Sequence, residues 1–240
     1  MVVAALGGAV VAVCLAIAPT RGGDPMLGVE VTSVAILSIW TVIGLRETLR
    51  GRLLARALDR RSAPDAPTGV PCRVVREGGR HAFVLGTIRP QIYIGDELMA
   101  TLDTDELRAV LLHEEHHRRT LAPLRALALE AWLTLAGRAA PARCALLDRL
   151  TDLEMEADAA ALRWGADPAA LASALLKTDV SLGSGASFAS ASAERLRTLV
   201  ALADGAERVD DPRLPYEWLP VAAVAIVALA CHLTGLSPLG

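Results

Sequence analysis

One stretch decides how the chain is read: Asp103-Thr104-Asp105-Glu106-Leu107-Arg108-Ala109-Val110-Leu111-Leu112-His113-Glu114-Glu115-His116-His117-Arg118-Arg119. Asp103 with Glu106 three residues on has the form of a capping box, in which each side chain accepts the other residue's backbone N–H. Leu107, Val110 and Leu111 follow at helical spacing, so a helix with an apolar face is expected. On that helix His113 and His117 stand one turn apart on the same side. Three of the chain's five histidines fall within five positions here. The pattern His113-Glu114-x-x-His117 offers two imidazoles to one metal ion, with zinc expected at one per chain, and Glu114 can reach a water in the ion's open position. Zinc lowers the pKa of such a water toward about 7, and Glu114 would accept its proton and pass it to a leaving amine. His116 points about 100° away from its neighbours and reads as a bystander.

Two imidazoles leave a catalytic zinc site one protein ligand short. A second long helical stretch, with Pro141 in its first turn and Gly165 as its stop, contains Asp152-Leu153-Glu154-Met155-Glu156-Ala157-Asp158. Glu154 and Asp158 share a face, whereas Glu156 lies about 200° round from Glu154, so one points at the ion only if the other points away. Glu154 is expected as the third ligand, and Asp158 as a companion carboxylate that holds a ligand imidazole and fixes its tautomer. Glu156 and Asp152 read as a solvated helix face. Arg118 and Arg119 read as a solvated helix end.

Upstream of the motif, residues 72–75, 82–85 and 91–94 are strand-like pieces punctuated by Gly78-Gly79 and Arg89-Pro90, and a small antiparallel sheet is expected. Before them Ser62-Ala63-Pro64-Asp65-Ala66-Pro67-Thr68 has the composition of a linker. Residues 181–192, with Gly183 and Gly185, read as a loop.

The rest of the chain is unusually apolar. Of 240 residues 53% are hydrophobic, and the mean hydropathy is +0.40, which disfavours a purely soluble globule. Residues 1–19 carry no charge and nearly match a hydrocarbon core of roughly 30 Å, the rival reading being a signal peptide. Residues 26–45 are a second apolar run, interrupted by Glu30, and residues 219–236 a third, interrupted by Pro220 and His232, for which a docked or buried helix is the rival. Arg46, Arg50, Arg52, Arg56, Arg60 and Arg61 crowd the segment after the second run, which places the middle of the chain on the cytoplasmic side of the cell membrane. Lys and Arg number 24 against 27 Asp and Glu, a net charge of -3, so no basic surplus exists to neutralise nucleic acid. Cys14, Cys72, Cys144 and Cys231 are far apart and form neither a disulfide framework nor a cysteine metal site.

His113-Glu114-x-x-His117, followed about 37 residues later by Glu154-Met155-Glu156-Ala157-Asp158, resembles the H-E-x-x-H and E-x-x-A-D pair of membrane zinc metalloproteases of the HtpX and CAAX-prenyl-protease type. The stretches Ala82-Phe83-Val84-Leu85-Gly86, Arg89-Pro90-Gln91-Ile92-Tyr93-Ile94 and Glu106-Leu107-Arg108-Ala109-Val110-Leu111 are similar to the sheet and active-site approach of the branch containing the BlaR and MecR beta-lactam sensors. The likeness covers about residues 70–200. It implies zinc on His113, His117 and Glu154, Glu114 as catalytic base, Asp158 as supporting carboxylate, and an edge strand at residues 82–86 that pairs with an extended peptide. It also makes His81, Ala82, Phe83 and Arg195 candidates for substrate binding, Arg195 as an oxyanion helper. Three positions depart from the pattern: His81 stands where Asn is usual, Ala122 where the sensors often have Asp, and no His-Pro precedes Ala193-Glu194-Arg195-Leu196-Arg197. The alternative for Arg195 is a solvated helical charge.

The expected fold is mainly α, of the α+β type: membrane helices plus a helical H-E-x-x-H zinc peptidase domain with a small antiparallel sheet. A transmembrane hairpin (1–45) leads through a basic juxtamembrane segment and linker (46–69) to the peptidase domain (70–205), and a linker and transmembrane helix (206–240) follow. The expected function is hydrolysis of internal peptide bonds by an integral-membrane zinc metalloendopeptidase, in membrane-protein quality control or in antirepressor proteolysis. Its partners would be a protein or peptide substrate and the lipid bilayer, with no nucleic acid; the sequence leaves the oligomeric state open. The alternative is a non-catalytic zinc-binding membrane protein of signalling or assembly.

Overall fold

A chain crossing that only glycine permits sets the topology of the sheet. In the computed structural model, which describes residues 25–136, 140–179 and 186–205, helix α1 (Pro25–Asp59) leads into strands β1 (Ser62–Asp65), β2 (Cys72–Val75), β3 (Ala82–Leu85) and β4 (Gln91–Gly95). The strand order is β1-β2-β4-β3. Leaving β2, the chain turns through Glu77 and Gly79, both at positive φ, and passes over the end of β4. A Cβ on Gly95 would lie 2.0 Å from the Gly79 carbonyl oxygen, and one on Gly78 2.9 Å from the Gly95 Cα. Because the crossing carries β3 to the far edge, β4 returns between β3 and β2. It runs antiparallel to β3, with Phe83 opposite Tyr93, and parallel to β2, with Val74 opposite Ile94.

Two expectations are corrected here. The sheet is mixed, not antiparallel, because β4 fills the gap beside β2. The segment read as a linker begins with a strand: Ser62–Asp65 pairs antiparallel with β2, Ser62 opposite Val75 and Asp65 opposite Cys72. An outer strand tolerates Pro64 because only one of its edges must be hydrogen-bonded.

Helix α2 (Asp96–Thr101) starts directly from β4, with Asp96 and Glu97 in its first turn, where the helix dipole favours negative charge. Helix α3 (Thr104–Arg119) carries the histidine motif, and its capping box forms: Asp103 accepts the Glu106 N–H and Glu106 accepts the Asp103 N–H, each at 2.9 Å. Helices α4 (Ala122–Ala136), α5 (Ala140–Arg163), α6 (Pro168–Asp179) and α7 (Ala186–Ala203) complete the described chain, which is mainly helical. Part of the segment read as a loop, from Ala186 on, is helical; residues 181–185 lie outside the described residues.

The described residues group into two compact units. One holds α1 up to Glu47, α4 from Leu127 and α5 up to Leu146; the other runs from Thr48 to Ala126 and resumes at Leu147. The second unit contains the sheet and α3, and two apolar clusters hold α3 in it. Leu107, Val110 and Leu111 pack with Cys72, Ile92 and Ile94 of the sheet, with Leu98, and with Ala174 of α6. Ala109 packs with Ala161 of α5, Leu171 and Ala172 of α6, and Leu199 of α7. Burying one Leu or Ile contributes about 1.5–3 kcal/mol, against differences of about 1 kcal/mol or less per residue in helix propensity. Packing therefore fixes α3 in place.

Among the described residues no helix is long and apolar enough to cross a membrane. Residues 26–45, read as a membrane span, are continuous with the basic segment in α1. The expected spans at 1–19 and 219–236 lie outside the described residues, as do Cys14 and Cys231.

Candidate metal centre

Helices α3 and α5 bring His113, His117 and Glu154 to one point, and these three form the group among the described residues that could hold a metal ion. The Nε2 atoms of His113 and His117 are 3.0 Å apart. His113 Nε2 is 3.4 Å from Glu154 Oε2, and His117 Nε2 is 3.3 Å from Glu154 Oε1. Three ligand atoms at tetrahedral angles round an ion, with bonds of about 2.0–2.1 Å, lie roughly 3.3–3.4 Å from each other. The separations here, 3.0 Å between the ring nitrogens and 3.3–3.4 Å from each ring nitrogen to a different Glu154 oxygen, are close to that size. Two ring nitrogens and a carboxylate facing one another so closely require a shared proton or a cation between them.

The outer shell is built from the same helices. His113 Nδ1 is 2.8 Å from Asp158 Oδ1, an arrangement in which Asp158 would hold the proton on Nδ1 and turn Nε2 toward His117 and Glu154 when a metal is bound. Burial alone would lower the His113 pKa; the bonds to Asp158 and Glu154 outweigh it and raise it. Burial would raise Glu154, yet His113 and His117 hold its carboxyl well below the ordinary value. Asp158, likewise opposed by burial, is held down by His113 and Arg195. The His113 imidazole thus faces the ionised carboxylates of Glu154 and Asp158, with His117 beside it. His113 and His117 side chains are 8% and 12% exposed and Glu154 40%, so the centre opens on the Glu154 side.

Glu114, next to His113 on α3, is buried, and its side chain has no hydrogen-bond partner among the described residues. Burial raises its pKa, partly offset by His117 and His113. It is a buried carboxyl group beside the cluster.

The structure draws Arg195 into the centre, where the sequence left a solvated charge as the alternative. From α7 its Nε and Nη2 donate to Asp158 Oδ2 and Oδ1 at 2.8 and 2.9 Å, and its Nη1 donates to Glu154 Oε2 at 3.0 Å. Of the remaining substrate candidates, Ala82 and Phe83 sit on β3, at an edge of the sheet, and His81 immediately precedes it. The Ala82 side chain packs against the core beneath α3, and Phe83 lies on the opposite face, stacked on Tyr93 with ring centroids 5.7 Å apart. The His81 side chain is exposed, and its carbonyl accepts the Gly95 N–H at 2.8 Å. What this segment offers a peptide is strand backbone.

Other side chains differ from their sequence reading. Glu156, expected on a solvated face, points away from the centre and pairs with Arg149 at 2.7 Å and Arg125 at 3.2 Å; Arg149 is wholly buried and needs that counter-charge. Arg149 and Glu156 are seven residues apart, two turns on one face, a signal the sequence carries. Arg118 and Arg119 both bond the buried Glu115 at 2.6 Å, and Arg119 also lies over the Trp164 ring, 5.0 Å from its centroid. His116 is not among the clustered ligands, and burial pushes its pKa down to about 4, helped by His117 and His113. At the other end of α3, Glu106 is buried and accepts from Ser173 at 2.6 Å and Lys177 at 2.5 Å, tying the helix start to α6.

The chain matches no protein-family model, and no curated protein matches its sequence.

Proposed function

We propose that the protein is a zinc-dependent metalloendopeptidase that hydrolyses internal peptide bonds. The observation that carries this reading is the convergence of His113, His117 and Glu154 with the buried, uncommitted Glu114 beside them. Two imidazoles and one carboxylate are a donor set that suits zinc, and three protein ligands would leave it an open position. When bound, zinc supplies Lewis acidity toward a carbonyl and a water of lowered pKa. The chain's own residues do the rest. Glu114 accepts the water's proton and delivers it to the departing amine, so no nucleophilic side chain is required. Asp158 orients His113 through Nδ1, and β3, outermost among the described strands, gives an extended peptide an edge to pair with. The resemblance to the HtpX and CAAX-prenyl-protease type, and to the BlaR and MecR branch, points to the same chemistry.

Integral-membrane attachment, with the catalytic domain on the cytoplasmic side, is part of this proposal. It is supported by the apolar sequence at 1–19 and 219–236, outside the described residues, and by the arginines that follow residue 45. Substrates would be membrane or regulatory proteins. The test is cleavage of unfolded casein by zinc-loaded, detergent-purified protein, wild type against Glu114→Gln. Cleavage by wild type alone, with zinc retained in both, supports the peptidase and its base. Zinc in both with cleavage by neither supports the alternative binding role instead.

A further inference from the structure

A carboxylate that binds an ion through both oxygens fills two coordination positions; one that binds through a single oxygen leaves a position free. Glu154 is placed so that either mode is within reach, since Oε1 is 3.3 Å from His117 Nε2 and Oε2 is 3.4 Å from His113 Nε2. The two oxygens are not equivalent, however. Arg195 Nη1 donates to Oε2 at 3.0 Å, and no hydrogen bond from Arg195 reaches Oε1. The guanidinium is locked in that pose by its fork on Asp158, with bonds of 2.8 and 2.9 Å, and Asp158 is itself fixed by His113. A planar group held at two points cannot turn its third donor away without breaking the fork. Its side chain is only 13% exposed, so water competes poorly for these bonds.

From this arrangement we infer that Arg195 is a positioning residue that makes Glu154 a one-oxygen ligand: it engages Oε2, leaves Oε1 for the metal, and so keeps a fourth position open for water or a substrate carbonyl. The inference rests on the metal reading given above and adds to it a device for keeping the centre coordinatively open. It also accounts for the long-range placement of Arg195, 37 residues beyond Asp158 and 41 beyond Glu154, on a helix that contributes no ligand of its own. Lysine carries one ammonium where arginine carries a fork, so it cannot hold Asp158 and Glu154 in the same fixed relation.

The test uses full-length protein in detergent loaded with Co(II), whose visible absorption is intense at four-coordinate tetrahedral sites and weak at five-coordinate ones. Wild type is expected to give the intense four-coordinate spectrum. Arg195→Met should lower the band intensity severalfold as Oε2 joins the ion, and Arg195→Lys should lie between. X-ray absorption of the zinc-loaded forms should show one more light-atom neighbour in Arg195→Met than in wild type. The wild-type spectrum stands even where a variant fails to fold: a five-coordinate wild type with glutamate bound through both oxygens overturns the inference by itself. Identical four-coordinate spectra in wild type and a folded, metal-loaded Arg195→Met overturn it as well. Failure of wild type to bind cobalt or zinc overturns the metal reading and this inference with it, so the two failures are distinguishable.

Discussion

Replacing Asp158 by Asn isolates what the outer shell contributes to the metal centre. Asparagine keeps the size of the side chain, and its amide oxygen can still accept from His113 Nδ1, now 2.8 Å from Asp158 Oδ1. It cannot also satisfy Arg195, which donates to both Asp158 oxygens at 2.8 and 2.9 Å, because the amide turns an N–H₂ toward a guanidinium N–H. The variant therefore loses a negative charge next to a ligand imidazole and loosens that imidazole, while His113, His117 and Glu154 stay intact. Loss of such a partner weakens metal binding by about 10–100-fold, or roughly 1.4–2.7 kcal/mol. Competition against a chromophoric chelator, with wild type and Asp158→Asn at one pH, reads this directly. Zinc affinities within twofold of each other, in a variant with unchanged helical content, would refute the role assigned to Asp158.

Two further predictions concern the frame round the site. Glu106→Gln removes the charge that holds Lys177 and Ser173. Breaking a buried pair costs about 3–5 kcal/mol, but Lys177 is 37% exposed and can turn to solvent, so about 2 kcal/mol is expected, a fall in Tm of about 4–8 °C near neutral pH. Burial works to raise the Glu106 pKa, yet Lys177, Ser173 and the Asp103 N–H hold it below the ordinary 4.5. Its stabilisation is thus full above that value and lost as pH falls through the depressed one, so melts of metal-free protein should show the gap between wild type and variant closing in acid. A gap independent of pH would contradict the assignment. Gly95→Ala places a Cβ 2.0 Å from the Gly79 carbonyl oxygen and should lower Tm by about 5 °C or more by calorimetry; an unchanged Tm would mean that the crossing is not as described.

Local signals made much of this fold legible in the sequence, and long-range ones did not. The capping box at Asp103 and Glu106, the one-turn spacing of His113 and His117, and the shared face of Glu154 and Asp158 are each written within a few residues, and the structure brings the last four together. Strands β2, β3 and β4 were marked by glycine and proline between apolar runs. The first strand was not, because Ser62, Pro64 and Asp65 have the composition of a turn and pair only through an already formed β2. The parallel pairing of β2 with β4 depends on where the chain crosses Gly95, and that is decided by contact across the sheet. Arg195 reads in the sequence as an oxyanion helper or a solvated helical charge; its partners, Asp158 and Glu154, lie on another helix. For Glu156 the composition misled, since the Arg149 beneath it on the same helix face is buried.

The central claim is that His113, His117 and Glu154 bind a metal together. The most direct test is the zinc content of full-length protein purified in detergent and freed of loose metal, for wild type and for His113→Ala/His117→Ala. One zinc per chain in wild type and none in the double variant is the predicted result. No zinc in wild type, or an equal amount retained by the double variant, would contradict it.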